Sequence, residues 1–201
     1  LLDVVDLERE VRGLLRLDFN ENTVGCSPKV IEALNKYLTA DALTIYPEYN
    51  AAMNDLARFF GVATNELTMT NGTDEAIQLL VNTFVNAGDD VLLLKPSYAM
   101  YRFYCDLAGA SVREIEYRMT HDLGFPLEEL LAAIQPNTKA ILIANPNNPT
   151  GTGAALDDLR RIIEAAPNAA VLVDEAYFEF SGVTILPCLR QYKNLFVSRT
   201  F

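Results

Sequence analysis

From residue 66 onward, short apolar runs alternate with segments whose apolar residues recur at helical spacing. DVLLLKP (90–96), TKAILIAN (138–145) and AAVLVDEAY (169–177) are short and nearly unbroken in their apolar character, which predicts strands buried on both faces. ELTMT (66–70) predicts a further short strand, SVREIEY (111–117) alternates as one, and NLFVSRTF (194–201) begins another. Between them, TDEAIQLLVNTFVNAG (73–88) sets Ile77, Leu80, Val81 and Phe84 on one helical face. YAMYRFYCDLAG (98–109) reads as a helix ending at Gly109, PLEELLAAI (126–134) as one with Pro in its first turn, and ALDDLRRIIEAA (155–166) as an amphipathic one. Strands of this kind alternating with helices predict an α/β fold in three layers around a mostly parallel central sheet.

The first part of the chain has a different character. A loop-like stretch, DFNENTVGCSP (18–28), precedes a helix, KVIEALNKYLTA (29–40); a turn at TIYPEYN (44–50) leads into a second helix, AAMNDLARFFGV (51–62). Repeats, low-complexity tracts and a Gly/Pro/Ser-rich linker are absent from the sequence. The chain lacks an initiator Met, and its last strand stops at Phe201 with no following element to cover it, so a longer gene product is expected.

Composition narrows the classes of function. Of 201 residues, 50% are apolar and 21% charged, enough to bury a core and too apolar for a disordered chain. Sixteen Lys+Arg against 27 Asp+Glu give a net charge of -11, which argues against a nucleic-acid or anionic-membrane surface. No apolar run approaches the ~20 residues that span a bilayer, and the acidic start LLDVVDLEREVRG is no signal peptide. Cys26, Cys105 and Cys188 form no CxxC pair and are odd in number, as expected of reduced thiols in a cytoplasmic protein. The one histidine, His121, reads as a surface-loop residue, which removes most metal-site and Ser-His-Asp schemes.

Three segments could carry chemistry. Asn71-Gly72-Thr73-Asp74-Glu75 joins a strand to a helix, where free backbone N–H groups suit a phosphate; Thr73 or Asp74 capping the helix is the equal alternative. Asn145-Pro146-Asn147-Asn148-Pro149-Thr150-Gly151 follows a buried strand, at the carboxyl edge where α/β proteins bind ligands. The adjoining GTGAAL is no dinucleotide fingerprint, because Leu156 stands where a small residue belongs. Asp174-Glu175-Ala176-Tyr177 closes another buried strand, and a carboxylate there needs either a cationic partner or backbone N–H donors.

In this order, with DFNENTVGCSP, IYPEYN, KPSYAMY and the final FVSRTF, these segments resemble the fold-type I pyridoxal-phosphate enzymes of the class I/II aminotransferases. Within them the chain looks most like the histidinol-phosphate aminotransferases, through NEN near the start and the YP pair. The resemblance covers essentially the whole chain. It implies a division in which residues 1–45 contribute to the small domain and dimer interface, and 46–201 form the first part of the cofactor-binding large domain. It also implies site roles. The backbone amides of Thr73 and Asp74 would hold the cofactor phosphate, Tyr98 would stack on the pyridine ring, and Asn148 and Tyr177 would hydrogen-bond its 3′-oxygen. Asp174 would pair with the ring nitrogen, Tyr46 would reach the neighbouring subunit's phosphate, and Asn22 would belong to the substrate site. Partners would be small amino and 2-oxo acids and a second copy of the chain, in the cytoplasm.

Two departures accompany the resemblance. The family motif continues from SRTF into Ser-Lys, so the lysine that carries the cofactor is expected two residues past Phe201; Lys95, Lys139 and Lys193 do not stand in that motif. Thr23-Val24 follows NEN where the family has Pro and an aromatic residue of the substrate pocket. Arg12, Arg16, Arg102 and Arg199 are the arginines near motif segments that could meet a substrate phosphate. The expected activity is amino transfer between L-histidinol phosphate and 2-oxoglutarate. The alternatives are another class I/II aminotransferase, an amino-acid-phosphate decarboxylase, or a non-catalytic homologue that binds the cofactor or a phosphate ligand.

Overall fold

Far apart in sequence, the apolar runs meet in one sheet because each can be covered on both faces. The computed structural model describes residues 20–22, 24–118 and 123–201. His121 and Thr23 therefore lie outside the described residues, as do Arg12 and Arg16. The chain forms two compact units, Leu1–Leu67 and Thr68–Phe201.

The described part of the first unit is helical. α1 (Pro28–Tyr37) has Pro at its start and Ser27 as N-cap, and α2 (Ala40–Thr44) follows at once. One helix was expected over 29–40; instead Thr39 is extended (φ -113°, ψ 165°) and its Oγ1 accepts from the Ala42 N–H at 3.2 Å. A threonine hydroxyl that satisfies a free N–H competes with continuing the helix, and here it starts a new one. α3 (Asn50–Phe60) ends at Gly61, whose φ of 70° is open to glycine without strain.

The strand expected at 66–70 is absent. A single 3-10 turn, Thr64–Glu66, precedes an irregular stretch. Local hydrogen bonds occur on both sides of it: the Glu66 carboxylate accepts from the Ala63 N–H at 2.7 Å, and Thr70 donates to the Gly72 carbonyl at 2.9 Å. Local pairing of this kind takes the place of a ladder.

The second unit holds α4 (Gly72–Phe84), β1 (Asp90–Lys95), α5 (Ala99–Leu107), β2 (Ser111–Glu116), α6 (Leu127–Ala133), β3 (Thr138–Ala144), α7 (Leu156–Ala165), β4 (Ala170–Asp174), α8 (Phe178–Ser181) and β5 (Leu195–Ser198). The five strands are all parallel, in the order β2-β1-β3-β4-β5. Alternate residues of each apolar run go to opposite faces. On one face Leu92, Ile141 and Val171 pack with Leu130 of α6 and Leu159, Ile162 and Ile163 of α7. On the other, Val91, Leu93, Leu142 and Leu172 pack with Ile77 and Val81 of α4 and Tyr101 and Cys105 of α5. This is the three-layer α/β fold. Phe84 departs from its expected place in the helix face: it is 39% exposed at the end of α4 and meets the Phe196 ring at 5.0 Å between centroids.

The strand order reverses between β1 and β3, since β2 lies to one side of β1 and the later strands to the other. A crevice opens at the carboxyl ends of strands at such a point, and the segments singled out by sequence leave the sheet there.

Candidate functional site

β1 ends into Pro96-Ser97-Tyr98, β3 into Asn145–Gly151, β4 on Asp174 and β5 on Ser198, so four strands deliver polar residues to one edge. The β3 loop is built around Asn147, buried at 2% exposure. Its Nδ2 donates to the Pro96 carbonyl at 3.0 Å and to Thr150 Oγ1 at 2.8 Å, while its Oδ1 accepts from Ser97 Oγ at 2.7 Å. Asn145 Oδ1 accepts from the Ala154 N–H at 2.8 Å, and its Nδ2 is buried without a partner among the described residues. Asn147 ties the loops after β1 and β3 together, Asn145 holds the β3 loop to itself, and Asn148 stands half-buried at the rim. There Asn148 Nδ2 donates to the Tyr177 hydroxyl at 3.4 Å. The sequence singled out Asn148 and missed the structural part of Asn147, because the amides of one turn look alike until their long-range partners are known.

At the start of α4, Gly72 takes φ 72°, a conformation strained for any other residue. Asn71 is the N-cap residue, and the Glu75 carboxylate reaches back to its backbone N–H. Thr73 and Asp74 thus lie in the first turn and neither caps the helix. Thr73 Oγ1 is buried without a hydrogen-bond partner among the described residues. Asp74 Oδ1 accepts from the Tyr98 hydroxyl at 2.9 Å; burial first, then this carboxylate, pushes the Tyr98 phenol up to about 12.

Asp174 is 4% exposed. Its Oδ1 accepts from Ser198 Oγ at 2.8 Å and from the Ala176 N–H at 3.2 Å, and its Oδ2 from the Tyr101 hydroxyl at 2.7 Å. All three are neutral donors. Burial holds its carboxyl above the usual carboxylate range; the hydrogen bonds from Tyr101, Ser198 and Ala176 oppose that rise, and the charge of Asp74 adds to it. A buried carboxylate held by neutral donors is suited to a cationic ligand group. Tyr101 is a core aromatic, 1% exposed with its ring edge-on to Tyr98 at 5.8 Å. Its hydroxyl is the part that the spacing did not reveal.

Arg199 pairs with Glu175 at 2.7 Å, Arg102 with Asp106 at 2.8 Å, and Lys95 with Glu114 at 3.1 Å. Arg102 and Arg199 are therefore engaged with acidic side chains of the protein itself. Asn22 and Tyr46 belong to the first unit. Asn22 closes a local turn, its Oδ1 accepting from the Val24 N–H and its Nδ2 donating to the Gly25 carbonyl, both at 3.0 Å. Tyr46 is 96% exposed. No group of three or more His, Cys, Asp or Glu that could hold a metal occurs among the described residues, and the described helices include none long and apolar enough to cross a membrane.

A parallel α/β domain with a phosphate-compatible helix start and a buried carboxylate at its carboxyl edge defines a ligand-binding α/β protein of the doubly wound kind. The model of the family described as aminotransferase class I and II matches residues 12–201, and the chain belongs to that family. It is 34% identical over 200 residues to a histidinol-phosphate aminotransferase of Dehalococcoides mccartyi, covering 98% of this chain and 53% of the relative. It is 36% identical over 208 residues to that of a Geobacillus strain, covering 100% of this chain and 55% of the relative. Its fold matches the crystal structure of histidinol-phosphate aminotransferase from Sinorhizobium meliloti in complex with pyridoxal-5'-phosphate, with TM-score 0.79, 24% identity, and coverage of 97% of this chain and 54% of that one. The chain spans about half the length of the curated relatives it matches.

Proposed function

We propose that the protein is a pyridoxal-phosphate-dependent aminotransferase that moves an amino group between L-histidinol phosphate and 2-oxoglutarate, in histidine biosynthesis, as a cytoplasmic homodimer. The observation that carries the cofactor is Asp174: a buried carboxylate whose hydrogen-bond donors are all neutral fits the protonated ring nitrogen of pyridoxal phosphate. Thr73 adds to the fit, since its buried hydroxyl lacks a partner at the helix start where the phosphate would sit.

In this reading the backbone amides of Thr73 and Asp74 bind the phosphate and Tyr98 lies against the ring, held by Asp74. Asn148 and Tyr177, already within 3.4 Å of each other, bind the 3′-oxygen. Tyr46 serves the neighbouring subunit's phosphate and Asn22 the substrate. Residues 1–45 belong to the small domain and dimer interface, and 46–201 to the cofactor domain. When bound, the cofactor supplies a sink for the electrons left on the amino carbon as its proton departs. Asp174 keeps the ring nitrogen protonated, and the buried amides of Asn145 and Asn147 fix the loop that presents Asn148.

The substrate rests on the identity to histidinol-phosphate aminotransferases and on the NEN and YP motifs. The exposed Val24 stands where the family has its aromatic wall, which predicts some tolerance of aromatic amino acids beside histidinol phosphate. Comparing kcat/KM for histidinol phosphate, histidinol, phenylalanine and tyrosine tests this. A large loss on removing the phosphate is expected; equal values with and without it would leave only a broader class I/II aminotransferase. Absence of a lysine two residues past Phe201 in the parent gene would favour a non-catalytic binding protein instead.

A further inference from the structure

Asp174 is gripped by hydroxyls from two layers of the fold. Tyr101 on α5 donates to Oδ2 and Ser198 at the end of β5 donates to Oδ1, and the two donors lie 73 and 24 residues from Asp174 in the chain. Tyr101 is buried in the core between α5 and the sheet, so packing aims its hydroxyl. Ser198 is buried and stands opposite Asp174 in the β4–β5 register. Only Tyr101 donates to Oδ2 among the described residues.

Each of these donors favours the charged form of a carboxylate that burial would otherwise protonate. The titratable groups that bear on Asp174 are Tyr101 of α5, Tyr98 just before that helix and Asp74 of α4, and Asp74 acts in the same direction as burial. A proton shared between a carboxylate and a pyridine nitrogen resides on whichever is more basic. Two hydroxyl donors make the carboxylate less basic, and that moves the proton to nitrogen.

We propose that Tyr101 and Ser198 are positioning residues that orient the Asp174 carboxylate and lower its basicity, so that a proton shared with the cofactor's ring nitrogen resides on nitrogen. This deepens the reading of Asp174 given above and rests on it. Both hydroxyls act through Asp174.

The test uses the intact protein without cofactor and after addition of pyridoxal phosphate. In the cofactor-free protein, the carboxylic-acid carbonyl band that is missing from Asp174→Asn is followed by infrared spectroscopy against pH. Its midpoint should rise by about one pH unit in Tyr101→Phe and in Ser198→Ala, as expected for loss of a donor to the charged form. Tyr117→Phe, which removes a buried hydroxyl that makes no hydrogen bond to Asp174, should leave it in place. With cofactor labelled at the ring nitrogen, the nitrogen-15 resonance should move from the pyridinium toward the pyridine position in the same two variants. Midpoints equal to the parent's in both, or an equal move in Tyr117→Phe, would overturn the proposal. If Tyr101→Phe fails to fold, Ser198→Ala decides alone. Failure of the parent to bind pyridoxal phosphate would instead overturn the functional reading, while the infrared midpoints still judge the hydroxyls.

Discussion

Arg199 donates through Nε to Oε2 of Glu175 at 2.7 Å, and its guanidinium lies 3.5 Å over the Phe178 ring. Glu175 is entirely buried, and its two oxygens also accept from Thr184 Oγ1 at 2.8 Å and the Ile185 N–H at 2.7 Å. This one carboxylate therefore joins the residue after β4, the residue after β5 and the chain that runs between them. Tyr177, Asp174 and Ser198 all sit within that frame.

Removing one partner leaves a buried charge unpaired. Arg199→Ala should therefore lower stability by about 3–5 kcal/mol in urea unfolding. Glu175→Gln keeps the shape and the two accepted bonds in part, so it should lose less. A loss under about 1 kcal/mol for Arg199→Ala, the range of an exposed pair, would show that the guanidinium is dispensable.

Asp90 fixes the opposite part of the sheet. Arg113 of the edge strand β2 donates to both its oxygens, at 2.6 and 2.7 Å, and Thr138 of β3 donates at 2.6 Å. The Arg113 hydrogen bonds are the main cause that holds this carboxyl below its usual 3.8, with Thr138 helping and burial opposing. A depressed folded-state value means the stabilisation is full above 3.8 and is lost as pH falls through the lower, folded value. Asp90→Asn should thus be destabilised at neutral pH, and its difference from the parent should shrink below 3.8. Chemical unfolding at a series of pH values reads the difference, and one that stays constant would remove Asp90 as the cause.

The sheet could be read from the sequence because its strands are short apolar runs and both faces of a parallel sheet need apolar residues. Local pattern failed at 66–70, where side-chain hydrogen bonds outweighed β-forming composition, and at Thr39, where a cap cut one helix into two. The carboxyl-edge segments were also visible as motifs. Their inner supports were not: Tyr101, Asn147, Ser198 and the Glu175–Arg199 pair act through partners far along the chain, and periodicity carries no record of such contacts. Tyr46 and Asn22 came from family resemblance alone, with nothing in their own surroundings to mark them.

Tyr117 offers a test of a different kind. It is 2% exposed, packs edge-on against Phe125, and its hydroxyl has no hydrogen-bond partner among the described residues. Burial pushes its phenol well above the usual range. An unsatisfied buried hydroxyl carries its full desolvation cost, so Tyr117→Phe, which keeps the ring, should raise stability by about 1 kcal/mol. A higher thermal midpoint with unchanged circular dichroism is the expected result; a lower one would mean that the hydroxyl has a partner in solution.

Asp174 should behave oppositely with and without cofactor. Its folded-state carboxyl lies above the usual 3.8, burial being the main cause, so the folded state favours the protonated form. No cost arises below 3.8, and a cost grows as pH rises through the folded value and the buried group becomes charged. Cofactor-free Asp174→Asn, which removes that charge, should therefore be more stable than the parent at pH 8 and should lose this advantage toward pH 3. In the proposed holoenzyme the charge has its cationic partner, so the same substitution should release pyridoxal phosphate faster, and Asp174→Ala should cut amino transfer by several orders of magnitude. Thermal unfolding with and without cofactor, at both pH values, separates the two effects. If Asp174→Asn is less stable than the parent in both forms at pH 8, the carboxylate is a structural group held by its three donors, and the cationic ligand must be sought elsewhere.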